Sequence, residues 1–158
     1  MKRQNGPLSR GVLLSLELHS NPHLFSVVRG AVERLTEVLG FSARGCRSVT
    51  RAVDEALTNI MRHSYRGRLD EPIGLYFRRV QRRSNGDADG GLEVQLWDRG
   101  LKFDPAKFPA RRLQEIRPGG LGLHFIRQAM DAVEYTRVGR TNRLRLVKYF
   151  EGHEGPPG

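Results

Sequence analysis

Two neighbouring stretches in the first half of the chain carry apolar residues at helical spacing. The first opens at Pro22, with Ser20 or Asn21 placed to cap it, and Gly40 ends it. The second follows Ser42, a further capping residue, and runs to about position 64 with apolar residues three and four apart. Two consecutive amphipathic helices need an apolar surface to pack against, so the rest of the chain has to supply one.

The remaining segments mostly show the alternating pattern of strands. The alternation occurs at 11–20, 73–83, 92–98 and 142–151, and SNGDADGG at 84–91 predicts a turn that joins the second and third strands into a hairpin. A third helix is predicted over 121–135, after a long loop at 98–120. The order β-α-α-β-β-loop-α-β predicts an α+β fold, a two-layer α/β sandwich with the helices on one face of a mixed, mostly antiparallel sheet.

Length and composition narrow the class of protein. The 158 residues suit one domain, predicted over 12–151, between a flexible N-terminus at 1–11 and a disordered tail at 152–158. No apolar run reaches about 18 residues, so no membrane span is predicted. The apolar stretch before Glu17 is short and lacks a cleavage site, which argues against a signal peptide. The single cysteine, Cys46, excludes an internal disulfide, and a cytoplasmic location is expected.

The charge is strongly basic, with a formal net value of +10. Lysine occurs only at positions 2, 102, 107 and 148, so arginine supplies 23 of the 27 basic residues. A basic surface favours an anionic partner, which can be a nucleotide, a nucleic acid or an acidic protein. The sequence contains no zinc-ligand spacing, RNP-type aromatic motif or helix-turn-helix, so direct nucleic-acid binding is the weakest of these alternatives.

The second predicted helix carries a polar stripe made of Glu55, Asn59 and His63. With Glu55 set to zero on a helical wheel, Asn59 falls near 40° and His63 near 80°, whereas the apolar residues occupy roughly 60° to 240°. The Glu–Asn pair therefore borders the buried face. A carboxylate there can orient or deprotonate a hydroxyl, and an amide oxygen is a hard ligand suited to Mg²⁺. Taken alone, the stripe is better explained as a solvated helix edge than as a site.

Two further motifs lie in the second half of the chain. WDRG at 97–100 places a carboxylate and a glycine at the end of a strand. The carboxylate can accept a hydrogen bond from an exocyclic amine, and the glycine lets a flat ring approach the backbone. The same residues are also a common turn signal. RPGGLGLHFIRQ at 117–128 brings backbone N–H groups to a helix start, which suits phosphate but also occurs at ordinary glycine-rich helix starts. It matches neither a Walker A motif nor a Rossmann fingerprint.

The order and spacing of the three motifs resemble the GHKL (Bergerat) ATPase superfamily. That superfamily has a helix with E-x-x-x-N, then a strand ending in D-x-G, then a long loop that ends in G-x-G at the start of a helix. More narrowly, AVDEALTN, DRGLKFDP and PGGLGLHFIRQAMDAVEY are similar to the anti-sigma factor serine/threonine kinase family, over about residues 12–150. The resemblance implies the Bergerat ATP-binding fold, with ATP and Mg²⁺ as ligands.

The resemblance also implies roles for individual residues. Glu55 would be the catalytic residue that orients or deprotonates the acceptor hydroxyl, and Asn59 the Mg²⁺ ligand. Asp98 would bind the adenine amine, with Gly100 beside it. The stretch 103–119 would be the ATP lid. Two less firmly placed phosphate contacts would be His63 and Arg117. Backbone N–H groups for the phosphates would come from Gly119, Gly120, Leu121 and Gly122.

Two departures from the pattern bear on activity. The wider superfamily has a second glycine in D-x-G-x-G where this chain has Lys102, which affects lid geometry and nucleotide affinity, although sequences resembling the family's kinases often lack that glycine too. No dimerisation helix with an acceptor histidine precedes the domain, so a self-phosphorylating histidine kinase is not expected.

The resemblance implies a cytoplasmic kinase that phosphorylates a STAS-type anti-anti-sigma protein and sequesters a sigma factor. A homodimer is a further partner that the family makes plausible, and no membrane is expected to be involved. The rival interpretation is a non-catalytic regulatory binding module of the same fold, which acts only by docking. Lys102 and the basic surface keep that rival open.

Overall fold

In the described part of the chain, five strands form one sheet that is covered on one face by three helices. The computed structural model describes residues 11–83, 88–104 and 122–151. Within these ranges the sheet order is β1-β2-β3-β5-β4, and every pairing is antiparallel. The elements in chain order are β1 (Val12–His19), α1 (Pro22–Leu39), α2 (Ala43–Asn59), a π-helical turn (Ile60–Ser64), β2 (Pro72–Arg83), β3 (Ala88–Asp98), α3 (Gly122–Ala129), β4 (Ala132–Val138) and β5 (Thr141–Tyr149).

The α+β two-layer sandwich predicted from the sequence is confirmed. The predicted flexible ends at 1–11 and 152–158 lie outside the described residues, apart from Gly11. The predicted lid at 103–119 also lies outside them, apart from Phe103 and Asp104. No helix in the described ranges is both long and apolar enough to cross a membrane.

Side-chain caps set the ends of α1 and α2 where the sequence placed them. The Asn21 side chain accepts a hydrogen bond from the His23 N–H at 3.0 Å, and the Ser42 hydroxyl accepts one from the Gly45 N–H at 3.0 Å. Gly40 ends α1 with φ of 91°, a left-handed conformation that glycine adopts without strain. Ser20, the alternative cap, instead donates to the Arg68 carbonyl at 2.6 Å.

The predicted third helix is wrong beyond residue 129. The helix ends at Ala129, and Ala132–Val138 forms β4 at the sheet edge, paired with β5. The β-branched and aromatic residues of AVEYTRV favour a strand, and pairing with β5 outweighs the helical spacing that precedes them. Asp131 marks the change, because its N–H donates to the Val147 carbonyl at 2.8 Å and its carboxylate accepts from the Tyr149 N–H at 2.7 Å.

The core lies between the helices and one face of the sheet. Cross-strand neighbours Leu75, Leu96 and Leu144 stack across β2, β3 and β5 on that face. The apolar stripe of α2 packs onto it, as the spacing predicted, and its buried members include Val49, Ala52, Val53, Ala56 and Leu57. Glu55 and Asn59 therefore stand at the border of the buried face of α2.

The opposite face of the sheet holds a buried carboxylate. Glu93 on β3 has no exposed surface, and it accepts hydrogen bonds from Arg78 at 2.7 and 3.2 Å, Gln95 at 2.7 Å and Arg145 at 2.7 Å. Burial by itself raises the pKa of Glu93, but the hydrogen bonds from Arg78, Gln95 and Arg145 outweigh it and lower the pKa below the ordinary value. The ionised carboxylate thus ties the three central strands together.

Replacing Glu93 with glutamine should lower the free energy of unfolding at pH 7 by about 1–3 kcal/mol, because two guanidinium groups lose their shared anion. Both arginine side chains are about one-third exposed, 36% and 35%, so solvent screening holds the loss below that of a fully buried pair. The folded pKa of Glu93 is lowered, so the wild-type advantage is complete above the unfolded pKa and shrinks as the pH falls through the folded value.

Urea denaturation at several pH values between neutrality and the acid limit of the folded state measures this effect. The control is Glu134→Gln, since Glu134 lies 3.5 Å from the same Arg145 but is 60% exposed. That variant should change stability by less than about 0.5 kcal/mol. Equal losses in the two variants, or a Glu93→Gln deficit that grows with acidity, would contradict this role for Glu93.

Candidate functional site

The end of α2 and the start of α3 meet at three residues. Glu55 and Asn59 lie one turn apart on α2 and are both half-buried. Gly122, the first residue of α3, is buried directly against them. A Cβ atom on Gly122 would lie 2.7 Å from Glu55 Oε2 and 3.2 Å from Asn59 Oδ1. Two of the sequence motifs, far apart along the chain, are therefore in direct contact.

Glycine at position 122 permits this contact. Any other residue would force the end of the Glu55 side chain to shift and would crowd the Asn59 amide. With glycine there, the first turn of α3 brings its unpaired N–H groups beside a carboxylate and an amide oxygen. A helix start of this kind attracts anionic groups such as phosphate. The neighbouring predicted phosphate contacts Arg117, Gly119, Gly120 and Leu121 lie outside the described residues.

The end of α2 changes to a π-helical turn immediately after Asn59. The Tyr65 N–H donates to the Ile60 carbonyl at 2.9 Å, which closes a wider turn than the predicted α-helix to position 64. Such turns shift the side chains that follow them relative to a regular helix. Tyr65 is fully buried, its hydroxyl donates to the Pro72 carbonyl, and the same oxygen accepts from the Arg99 N–H at 2.9 Å. The turn is thereby fixed to the segment that follows β3.

Asp98 ends β3 and is only 4% exposed. Its Oδ1 accepts from the Gly100 N–H at 2.9 Å and from Asn142 Nδ2 at 2.9 Å, and the Ser64 side chain also hydrogen-bonds the carboxylate. Burial raises the pKa of Asp98 above its ordinary value, and the bonds from Asn142, Gly100 and Ser64 oppose that rise without cancelling it. A carboxylate has about four acceptor positions, so one remains for an incoming N–H donor.

Gly100 is the second position where the site depends on close backbone approach. A Cβ there would lie 2.4 Å from the Ser64 carbonyl oxygen, which leaves no room for a side chain. The next residue, Leu101, donates its N–H to that same carbonyl at 2.9 Å. The D-x-G segment therefore packs against the π-helical turn, and the two motifs that carry Asn59 and Asp98 are held next to each other.

Asn142 and Arg137 complete the polar network, and the sequence motifs did not indicate either residue. Asn142, 8% exposed, donates to Asp98 Oδ1 and to the Leu101 carbonyl at 2.7 Å, and its Oδ1 accepts from Arg137 at 2.7 Å. Arg137 also donates to the Gly100 carbonyl at 3.2 Å. Asn142 lies directly opposite Asp98 in the β3–β5 register, so only knowledge of the strand pairing could have identified it.

A small cavity of about 30 Å³ lies between these groups. Asn59, Asp98 and Asn142 contribute polar walls, and Phe103 and Tyr135 contribute a pair of stacked rings whose centroids are 4.6 Å apart. Asn59 and Asp98 thus face one space. The volume holds about two water molecules, less than a purine base needs, so the cavity has to widen before a base can enter.

The remaining predicted contacts are less closely tied to this cavity. His63 is half-buried within the π-helical turn and does not line the cavity. Lys102 is exposed.

Within 11–83, 88–104 and 122–151, no cluster of three or more His, Cys, Asp or Glu side chains could hold a metal ion. A cation at Asn59 would therefore take most of its ligands from water and from phosphate oxygens, as Mg²⁺ commonly does.

Comparison with known proteins identifies the domain. Residues 18–148 match the family described as the histidine kinase-like ATPase domain. The serine/threonine-protein kinase BtrW of Bordetella bronchiseptica is 33% identical over 113 residues, which are 69% of this chain and 74% of BtrW. The serine-protein kinase RsbW of Oceanobacillus iheyensis is 26% identical over 129 residues, and RsbW of Listeria innocua is 29% identical over 133 residues, each alignment covering 77% of both chains.

The family match spans most of the chain and includes Glu55, Asn59, Asp98 and Gly122. The relatives are named as protein kinases that act on serine or threonine. The chain therefore belongs to the histidine kinase-like (GHKL) ATPase domain family and, within it, to the anti-sigma factor serine/threonine kinases that its motifs resemble.

Proposed function

We propose that this protein is an ATP-dependent serine/threonine kinase that phosphorylates a STAS-type anti-anti-sigma protein and sequesters a sigma factor in the cytoplasm. The observation that carries the proposal is the packing of Gly122 onto Glu55 and Asn59. It brings a candidate base, a candidate metal ligand and a helix start suited to phosphate into one place.

The nucleotide would enter between the π-helical turn and the end of β3. Asp98 would accept a hydrogen bond from the exocyclic amine of adenine through its remaining acceptor position, with Asn142 and Ser64 holding the carboxylate in place. Gly100 leaves backbone rather than side chain beside the base. The N–H groups at the start of α3 would receive the phosphates. Bound Mg²⁺, held at Asn59, would supply charge neutralisation for the transferred phosphoryl group.

Glu55 would handle the acceptor proton. As a serine or threonine hydroxyl attacks the γ-phosphorus, an O–P bond forms, the bond between the γ-phosphorus and the bridging oxygen breaks, and ADP leaves with that electron pair. The hydroxyl proton passes to the Glu55 carboxylate. Glu55 sits beside Gly122, at the boundary between the helix start and solvent, where a partner protein can present its hydroxyl.

Transfer would also explain regulation. A new phosphoryl group adds about two negative charges at the docking surface, which changes the partner's affinity for the kinase. The unphosphorylated partner would compete with the sigma factor for this protein. The phosphorylated partner would bind weakly and leave the sigma factor sequestered.

A non-catalytic binding module of the same fold is the second candidate. The small volume of the cavity beside Asp98 favours it, because no base can enter without a rearrangement. Such a module would act by docking alone. Nucleotide binding and phosphoryl transfer, measured separately, distinguish the two functions.

Replacing Glu55 with glutamine should reduce phosphoryl transfer by about 10²–10⁴-fold, because the amide cannot accept the proton. ATP binding should survive, since glutamine keeps the size of the side chain. Transfer of labelled γ-phosphate to purified STAS-type proteins measures the first property. Thermal stabilisation by Mg·ATP, roughly 2.7 kcal/mol at 100 times Kd, measures the second.

The Glu134→Gln variant is the matched control, because it makes the same chemical change away from the site. Glu134 is 60% exposed and lies 3.5 Å from Arg145, so its loss should cost under about 1 kcal/mol and leave transfer unchanged. Wild-type transfer in the Glu55→Gln variant, or equal losses in both variants, would rule out Glu55 as the base.

Replacing Asp98 with asparagine should weaken ATP binding by about tenfold or more, because a charged acceptor for the adenine amine is lost. It should also abolish any preference for ATP over inosine triphosphate, which lacks that amine. Because burial raises the pKa of Asp98, its carboxylate takes up a proton at a higher pH than an ordinary aspartate does as the pH falls. The ATP affinity of the wild type should therefore begin to decline at that higher pH, and the affinity of the variant should show no such decline.

Isothermal titration at several pH values provides both comparisons. Asp70→Asn serves as the control, because Asp70 is exposed and has a φ of 62° that asparagine tolerates. An Asp98→Asn variant that still prefers ATP over inosine triphosphate would show that the base is bound elsewhere.

A further inference from the structure

Three arginines lie along the face of α2 that also carries Glu55. On a helix with about 100° and 1.5 Å per residue, Arg44, Arg47 and Arg51 lie within roughly 80° of Glu55 around the axis and between about 6 and 16 Å from it along the axis. All three are exposed. None forms a salt bridge with a carboxylate in the described part of the chain. The stripe is therefore a basic surface that ends at the candidate base.

These arginines form one side of a groove of about 930 Å³ between the three helices. Its apolar surface includes Phe41 and Phe125. The guanidinium carbon of Arg51 lies over the Phe125 ring, 3.9 Å from its centroid, and this cation–π contact positions the charge in the groove. The groove thus offers both an oriented cation and an apolar contact.

The acidic residues of the groove do not neutralise the stripe. Asp54 is paired with Arg29, and Glu37 is paired with Arg34 at 3.1 Å. Glu33 is the one acidic lining residue with no such pairing to a described residue, against three unpaired arginines. The unpaired charge of the groove is therefore positive and complementary to an anionic occupant.

One further observation is hard to explain by folding alone. The first turn of α2 contains Arg44 and no acidic residue, although a positive charge there opposes the helix dipole. An anionic occupant beside Arg44 would offset this unfavourable feature of the isolated chain.

We infer that this groove docks an acidic segment of the protein whose serine or threonine is phosphorylated. Carboxylates of that segment contact Arg44, Arg47 and Arg51, and an apolar side chain packs on Phe125. The inference rests on the proposed kinase function, because docking on the arginine stripe would bring the acceptor hydroxyl to Glu55. In an extended segment with about 3.3 Å per residue, the carboxylates lie roughly two to five residues from the acceptor hydroxyl.

The test uses the full chain and a fluorescein-labelled peptide that carries several glutamates and one leucine. Its counterpart has glutamine in place of glutamate, and a single-stranded DNA oligonucleotide of equal charge is the third probe. Fluorescence anisotropy should show binding of the glutamate peptide about tenfold tighter than that of the glutamine peptide. Arg47→Glu and Arg51→Glu should each weaken it by about tenfold.

Arg140→Glu is the matched control, because Arg140 is an exposed residue in the turn between β4 and β5 and undergoes the same change of charge. It should alter the affinity by less than about twofold. Equal weakening by Arg140→Glu, or unchanged binding by Arg47→Glu, would overturn the inference. Tighter binding of the oligonucleotide through the same arginines would overturn it too, in favour of a nucleic-acid surface.

The peptide assay needs no nucleotide, so it is independent of the proposed kinase activity. If Mg·ATP does not stabilise the wild-type protein, that result contradicts the proposed kinase function. It does not contradict the proposal that the groove docks an acidic segment. With a STAS-type protein that the wild type phosphorylates, Arg47→Glu should raise KM by about tenfold and leave kcat unchanged. A fall in kcat at unchanged KM would instead place Arg47 in the chemical step and overturn its docking role.

Discussion

The contact of Gly122 with Glu55 and Asn59 is the constraint on which the site depends. It joins α3 to α2 at the one place where a side chain on the incoming helix would collide with both polar groups. The apolar stripe of α2 is buried against the sheet, so the backbone that carries Glu55 and Asn59 is held in place by the core. The position of the α3 start is therefore set by the same packing that stabilises the fold, and the site is pre-organised on its protein side.

The second half of the site is built around a buried charge. Asp98 would be costly in the interior without partners, and it obtains them from Asn142, Gly100 and Ser64, which belong to three different segments. Arg137 extends this network to the β4–β5 hairpin. The hydrogen bonds to this one carboxylate consequently fix β3, β5 and the π-helical turn relative to one another. Asn59 directly precedes the turn, so its position is fixed as well.

Local signals in the sequence predicted the helix caps, the E-x-x-x-N stripe and the strand that ends at Asp98, since each depends on residues within a turn or two. Three features depended on distant partners and were missed. The strand β4 forms because it pairs with β5, Asn142 joins the site through the register opposite Asp98, and the turn after Asn59 widens where Tyr65 is held by Pro72 and Arg99. The basic stripe on α2 was visible only as scattered arginines until the helices defined a groove beside it.

Phosphoryl transfer by a Gly122→Ala variant tests the central claim most directly. The added methyl group would lie 2.7 Å from Glu55 Oε2, so the carboxylate and the start of α3 have to separate. Transfer to a STAS-type protein should fall by about 10²-fold, with the melting temperature of the nucleotide-free protein little changed. Gly30→Ala, whose added methyl group meets nothing within 4 Å, should transfer at the wild-type rate. Wild-type transfer by Gly122→Ala would contradict the claim that this close contact assembles the site.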